Sequence, residues 1–451
     1  VTAAPATPSG GRVLPRRTVL RCAGALGAAA LVPWTPACGT DDDALTFYFA
    51  ANPEEADARM RIVTAFEREH PEVRVRTILA GGDPTQQIST FCAGGKCPDV
   101  LMAWEFNFAG LADRGVLLDL NGLLERDRRF GAALHADSYP ALYETFGFEG
   151  GQYAFPEQWS GAFLFYNTRI FAEAGVPPPP GRWDQPWSFD EFLATATALT
   201  HRSGNGRVTQ WGFVDTWSAP YTAALFGMNN GTPWAVPRVN PTHLNFDDDD
   251  FLAGIQFYAD LANVHRVAPA AADTQSISTM GLFTAGKAAM ALGGHWRYQT
   301  FVHAEELDFD VAVLPTGPGA AAKGRAARSA IGSTGLAIAA DSRRREQAWE
   351  FVKFATGPVG QSLIAESGLF VPVLRSAIAS PGFTAAHAGI SNLAVLTGGP
   401  AHSEGLPITP DWQKVHALMD RAIGPVLRGS RPASSLKHGL TPQIDEVLAA
   451  P

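Results

Sequence analysis

The stretch from residue 45 to residue 79 reads as strand, helix and strand, and this constrains the fold more than any other feature. Leu45-Thr46-Phe47-Tyr48-Phe49-Ala50 is an apolar run of strand length. Glu54 to His70 then places apolar residues at Ala56, Met60, Val63 and Phe66, a helical stripe, and Val73 to Leu79 alternates as a strand. Two strands around a helix in so short a span form a βαβ unit, whose strands pair in parallel through a right-handed crossover. The chain is therefore expected to be α/β, with a partly parallel sheet covered by helices.

The pattern continues to the C-terminus. Strands are predicted at Pro98–Met102, Phe163–Asn167, Phe309–Leu314 and Ile331–Ala339, and helices from Phe251 to about Val264, near Thr279 to Lys287 and from Arg344 to Ala355. Ser188 and Glu191 have the spacing of a capping box, opening a helix that reaches about Thr200. Gly/Ala-rich residues 317–327 read as a surface loop, and Trp412 to Leu448 as mostly helical. With 451 residues, 46% of them hydrophobic, the chain has enough apolar material for two lobes, each with its own core.

Residues 1–37 differ in character. They hold Arg12, Arg16, Arg17 and Arg21 with no acidic residue, then an apolar run from Cys22 to about Trp34, the layout of an export signal. That run is well short of the roughly 20 residues a spanning helix needs. Arg16-Arg17 followed by Thr18, Val19 and Leu20 resembles a twin-arginine signal, an ordinary basic n-region being the alternative. Thr35-Pro36-Ala37-Cys38-Gly39 resembles a lipobox, with Thr35 where Leu is usual, so Cys38 is the expected lipid anchor and the protein is expected at the extracellular face of the membrane, which it touches only through that lipid.

Two cysteines remain, Cys92 and Cys97, flanking a Gly-rich loop. An oxidising compartment favours a local disulfide; two free thiols are the alternative. No neighbouring Cys or His completes a metal site, and neither a metal nor a cofactor is expected. Without the signal, Lys plus Arg falls from 35 to 31 against 44 acidic residues, a net charge near −13. With no basic stripe, that charge excludes nucleic acid as a partner.

Several local patterns, in order, resemble the family 1 extracellular solute-binding proteins, the maltose and multiple-sugar type that serve ABC importers. They are Ile62 to Pro71 followed by Val73 and Val75, and Cys97-Pro98-Asp99-Val100 leading to Leu111–Leu120. Further on come Phe165-Tyr166-Asn167-Thr168-Arg169-Ile170-Phe171 before Gly175, Trp187–Phe192, Phe283–Met290, and Ala348-Trp349-Glu350-Phe351-Val352-Lys353-Phe354. The resemblance implies a two-lobed periplasmic-binding-protein-like fold (type II) with discontinuous lobes: 44–158 plus 315–362, and 159–314 plus 363–451. It further implies a non-catalytic monomer that closes like a hinge on a sugar and delivers it to membrane permease subunits. Polyamines, glycerol phosphates and peptides are the runner-up ligands.

A sugar needs flat aromatic platforms for its C–H faces and polar groups for its hydroxyls. Trp296 is the first candidate, since in the resembled family the loop after the Met290 strand brings an aromatic residue into the cleft; Gly294, His295 and Arg297 lie beside it. Trp104 and Glu105, Glu157 and Trp159, and Trp211 and Trp217 are further candidates, each tryptophan having core packing as its alternative. Asp83 and Gln86 follow the second strand, where a parallel sheet presents ligands, though Asp83 would equally cap a helix; Ser333 lies in a turn that would bring backbone to the ligand. Asp99 is read as structural. A secreted glycoside hydrolase, drawing on Glu105, Glu157 and Asp215, is the remote alternative, and no Gly-x-Ser-x-Gly elbow supports a serine hydrolase.

Overall fold

The computed structural model describes residues 43–450. The signal, the Arg16-Arg17 pair, Cys22 and Cys38 lie outside the described residues. Ten strands build two five-stranded sheets: β1 Leu45–Phe49, β2 Val75–Leu79, β3 Val100–Trp104, β4 Ala154–Trp159, β5 Ala162–Asn167, β6 His201–Arg202, β7 Val208–Asp215, β8 Ala288–Gly294, β9 Phe309–Ala312 and β10 Ser333–Ile338. Sheet one has the order β2-β1-β3-β10-β4 and sheet two the order β9-β5-β8-β7-β6. The principal helices are α1 Pro53–Glu69, α2 Pro84–Ala93, α3 Phe189–Ala198, α4 Ala219–Asn229, α5 Asp249–Asn263, α6 Arg345–Thr356, α7 Pro358–Ser367 and α8 Trp412–Leu427.

The βαβ unit forms as its pattern requires: β1 pairs in parallel with β2, in register from Leu45↔Val75 to Phe49↔Leu79, and with β3 on its other side. Both faces of β1 are covered, Phe47 and Phe49 packing with Phe66 and Phe351, and Tyr48 with Leu101 and Phe108, which is why the strand is apolar throughout. Asn52 and Glu55 close a capping box on α1, and Pro53 fits its first turn. The buried stripe of α1 is shifted from the predicted one: Ala58, Arg59, Ile62, Val63, Ala65 and Phe66 face inward, while Met60 is 38% exposed. The inward turn of Arg59 places a cation in the protein interior.

Ser188 and Glu191 form the expected capping box of α3. The third strand runs two residues later than predicted, because Asp99 is committed as an acceptor from Thr46 Oγ1 (2.7 Å) and Ser342 Oγ (2.7 Å), the structural role read for it. Residues 317–327 are not a plain surface loop. Pro318–Ala322 form a short helix with Gly319 and Ala320 buried, where the Gly319 amide donates to Asn230 Oδ1 (3.0 Å). Cys92 and Cys97 are joined in a disulfide at the end of α2.

Chain crossings between the sheets set the geometry of the site. One is the link Ser160-Gly161 between β4 and β5; another lies between β9 and β10. The two crossings are joined where the Ser160 amide donates to the Gly332 carbonyl (3.1 Å). Gly332 has φ +45°, and a Cβ there would sit 2.4 Å from the Ser160 carbonyl oxygen, so only glycine allows this approach. Away from the crossings, Asn240, in the loop before α5, donates from Nδ2 to Glu149 Oε1 (3.1 Å) in the hairpin turn at 149–150 beside sheet one.

Candidate ligand-binding site

A cavity of about 440 Å³ lies where the two sheets face each other across these crossings, a volume typical of small-molecule sites. One side of its lining comes from the ends of sheet-one elements. Glu55 and Arg59 project from the first half of α1, Trp104, Glu105 and Phe106 follow β3, and Ser333 and Thr334 open β10. This is the C-terminal edge of the parallel strands, where open α/β sheets present ligand groups. The other side carries Trp217 and Tyr221 at the start of α4, Trp234 in the loop after that helix, and Trp296 after β8.

The aromatic rings support one another. Trp217 stacks on Tyr221 with centroids 5.7 Å apart and planes at 15°, and meets Trp296 edge to face at 5.7 Å and 65°. Trp104 stacks on Phe106 at 5.9 Å. Trp296 is held by its backbone amide, which donates to Ser160 Oγ (3.0 Å), and by Gly294, where a Cβ would come within 1.8 Å of the indole. Pre-placed rings of this kind need no reordering to receive an apolar face.

Three carboxyl groups, Glu55, Glu105 and Glu404, stand on the polar wall. Burial raises the carboxyl of Glu105 to about 7, against backbone amides of Ser333 and Gly332 and the more distant Arg238, which lower it. Glu55 and Glu404 are raised for the same first cause, burial. Arg59 is neutralised by Glu157 at 2.6 Å, both side chains 3% exposed, and Glu157 also accepts from Thr334 Oγ1 (2.8 Å). Gln158 donates from Nε2 to Thr334 Oγ1 (2.9 Å), while its Oε1 and the Nε of Arg59 are buried without a protein partner.

Of the predicted site residues, the structure brings Trp104, Glu105, Trp217, Trp296 and Ser333 to the cavity wall. Others are corrected. Trp159 is fully buried between Gly161 and Gly399, where a Cβ would lie 2.2 and 2.3 Å from its ring, so it packs the crossing. Trp211 is 8% exposed and belongs to the core beside β8. His295 is buried, its Nδ1 on the Leu369 carbonyl (3.0 Å) and its Nε2 on His387 (2.9 Å), and burial lowers its pKa. Arg297 turns away to donate to the Thr216 carbonyl (3.0 Å). Asp83 caps α2, accepting from the Gln86 amide (2.9 Å), and both residues are exposed outside the cavity. Gly294 and Glu157 act at one remove, through Trp296 and Arg59. Asp215 accepts from Tyr258 (2.6 Å), so the three acids considered for hydrolysis are not assembled at the cavity.

Sequence reasoning missed Glu55, Arg59, Tyr221, Trp234, Phe370 and Glu404. For Glu55 and Arg59 a signal existed, since the turn after β1 lies at the same sheet edge as the turn after β3.

Two lobes, each a sheet flanked by helices, joined by chain crossings with an aromatic cavity between them, define a solute-binding protein of the type II periplasmic kind. Residues 50–362 match the bacterial extracellular solute-binding protein family, and the chain belongs to it. A protein of Streptomyces antibioticus described as an uncharacterized lipoprotein is 27% identical over 375 residues, 81% of this chain and 78% of that one. The galactooligosaccharide-binding protein of Bacillus subtilis is 22% identical over 383 residues, 83% of each. Among solved structures, the ABC substrate-binding protein of Listeria monocytogenes in complex with cycloalternan superposes with a TM-score of 0.77 at 21% identity, covering 90% of this chain and 99% of that one. The Mycobacterium tuberculosis protein UgpB, in complex with glycerophosphocholine, gives 0.74 at 21%, covering 90% and 98%. Among the described residues no helix is long and apolar enough to cross a membrane.

Proposed function

We propose that this protein captures a saccharide in the inter-lobe cavity, closes on it, and delivers it unchanged to the permease of an ABC importer. The carrying observation is the wall formed by Trp104, Trp217, Tyr221, Trp234 and Trp296 beside Glu105, Gln158 and Ser333. Flat rings take the C–H faces of a pyranose, and the carboxylate, amide and hydroxyl groups replace the water its hydroxyls lose. The galactooligosaccharide-binding relative supports the same class. A phosphate ester is disfavoured, because the guanidinium on the wall, Arg59, is already committed to Glu157.

The test is a thermal-shift and calorimetric panel of mono- and oligosaccharides, polyamines and glycerol phosphates, in which a bound ligand raises the melting temperature by mass action. A saccharide is expected to bind and to be recovered intact. Trp296→Ala should weaken that binding about 10- to 100-fold, the worth of one stacked ring, with the fold retained. Binding by a phosphate ester alone would overturn the ligand class.

The lipobox and the lipoprotein relative support anchorage through Cys38 at the extracellular face. Cys38→Ala should shift the protein from the membrane to the soluble fraction; retention at the membrane would remove this part of the reading.

A further inference from the structure

Resting on the saccharide reading, we infer that the natural ligand is a basic saccharide, one carrying a protonated amine that the acidic wall of Glu55, Glu105 and Glu404 receives. Three glutamates line one cavity with a single guanidinium, Arg59, which pairs with Glu157 and acts on Glu55 only through space. Arg238, Arg325 and Arg328 act on Glu105 or Glu404 only at longer range, and none of them reaches ion-pairing distance of either carboxylate. Each wall carboxyl is destabilised as an anion by burial, Glu105 up to about 7, so a bound cation would stabilise the charge that burial opposes.

A second, independent feature is the set of unmade hydrogen bonds. Gln158 is 4% exposed and its Oε1 has no donor, an acceptor waiting on the same wall. An ammonium supplies donors and asks for no acceptor, and the surrounding indoles provide faces that attract cations. The donors favour a saccharide over a bare polyamine. The Nε of Arg59 is unpartnered, and no protein acceptor takes the indole N–H of Trp104, Trp217, Trp234 or Trp296 among the described residues. Indole N–H groups on a cavity wall can donate to hydroxyl or ring oxygens. Rings for the aromatic wall, oxygens for the indoles and an amine for the carboxylates together describe an amino saccharide.

Three probes of equal length separate the readings by isothermal titration: a glucosamine trisaccharide with free amines, its fully N-acetylated form, and a glucose trisaccharide. The free amine is expected to bind at least tenfold tighter than the other two, with an affinity that falls as salt rises. In Glu105→Gln and in Glu404→Gln, which keep the shape of the wall, the ratio of free-amine to neutral trisaccharide affinity should fall severalfold, and an unchanged ratio in both variants would overturn the inference. Equal or tighter binding of a neutral trisaccharide would overturn the inference and leave saccharide capture standing. Failure of all three, with spermidine or glycerophosphocholine bound instead, would overturn saccharide capture itself.

Discussion

Glu105 shows at the scale of one residue how the site trades stability for function. Its carboxyl keeps its proton up to about pH 7 in the fold, against roughly 4.3 in an unfolded chain. Folding therefore takes up a proton between those values, and the stability from this group is present at low pH and lost as pH rises through 7. Arg238 and the amides of Gly332 and Ser333 face the carboxyl and relieve only part of the cost. Glu105→Gln, which cannot ionise, should gain about 1–3 kcal/mol over the wild type at pH 8 and nothing at pH 4, by urea unfolding at each pH. An equal gain at both pH values would show that packing, not ionisation, is involved. Glu55 and Glu404 are shifted in the same direction, so ligand-free stability should decline above about pH 4–5, as the unfolded carboxyls ionise, more steeply than one group explains.

At the scale of elements, the loop closed by Cys92 and Cys97 ends α2, and its contribution can be separated from the site. Closing so short a loop removes little chain entropy, about 2 kcal/mol. The double variant Cys92→Ser, Cys97→Ser should lose up to that amount in urea unfolding and bind ligand unchanged; a large loss of affinity would tie the loop to the cavity. Elements such as β1, α1, α3 and the disulfide were legible in the sequence because periodicity, caps and cysteine spacing are local. The short helix at 318–322 was not, because what buries Gly319 is Asn230, 89 residues away. The polar wall was hidden for the same reason: Arg59 and Glu157 are 98 positions apart. Tryptophans beside polar residues look alike in a sequence, yet Trp296 turned out to line the cavity and Trp159 to fill the crossing, a difference fixed by Gly161 and Gly399 packing around the latter.

At the scale of the whole molecule, affinity in a hinge-closing protein depends on contacts that never touch the ligand. The bond from Asn240 to Glu149 is such a contact, joining the loop before α5 to the hairpin beside sheet one, and both residues sit at positive φ, 47° and 49°. Under the proposed closure, a bond between the lobes adds to the population of the closed form. Asn240→Ala should therefore raise the ligand dissociation rate about two- to tenfold with little change in association, as stopped-flow mixing would measure. An unchanged dissociation rate would mean the contact plays no part in closure. The distribution of the 11 tryptophans has a different consequence. Four border the cavity, and Trp349 is sealed in the interior against Phe130 and Phe155, so the molecule carries an optical reporter and its internal reference in one chain. Occupancy would alter the emission of the first set and leave that of Trp349 unchanged, allowing ligand binding to be followed by intrinsic fluorescence without a dye.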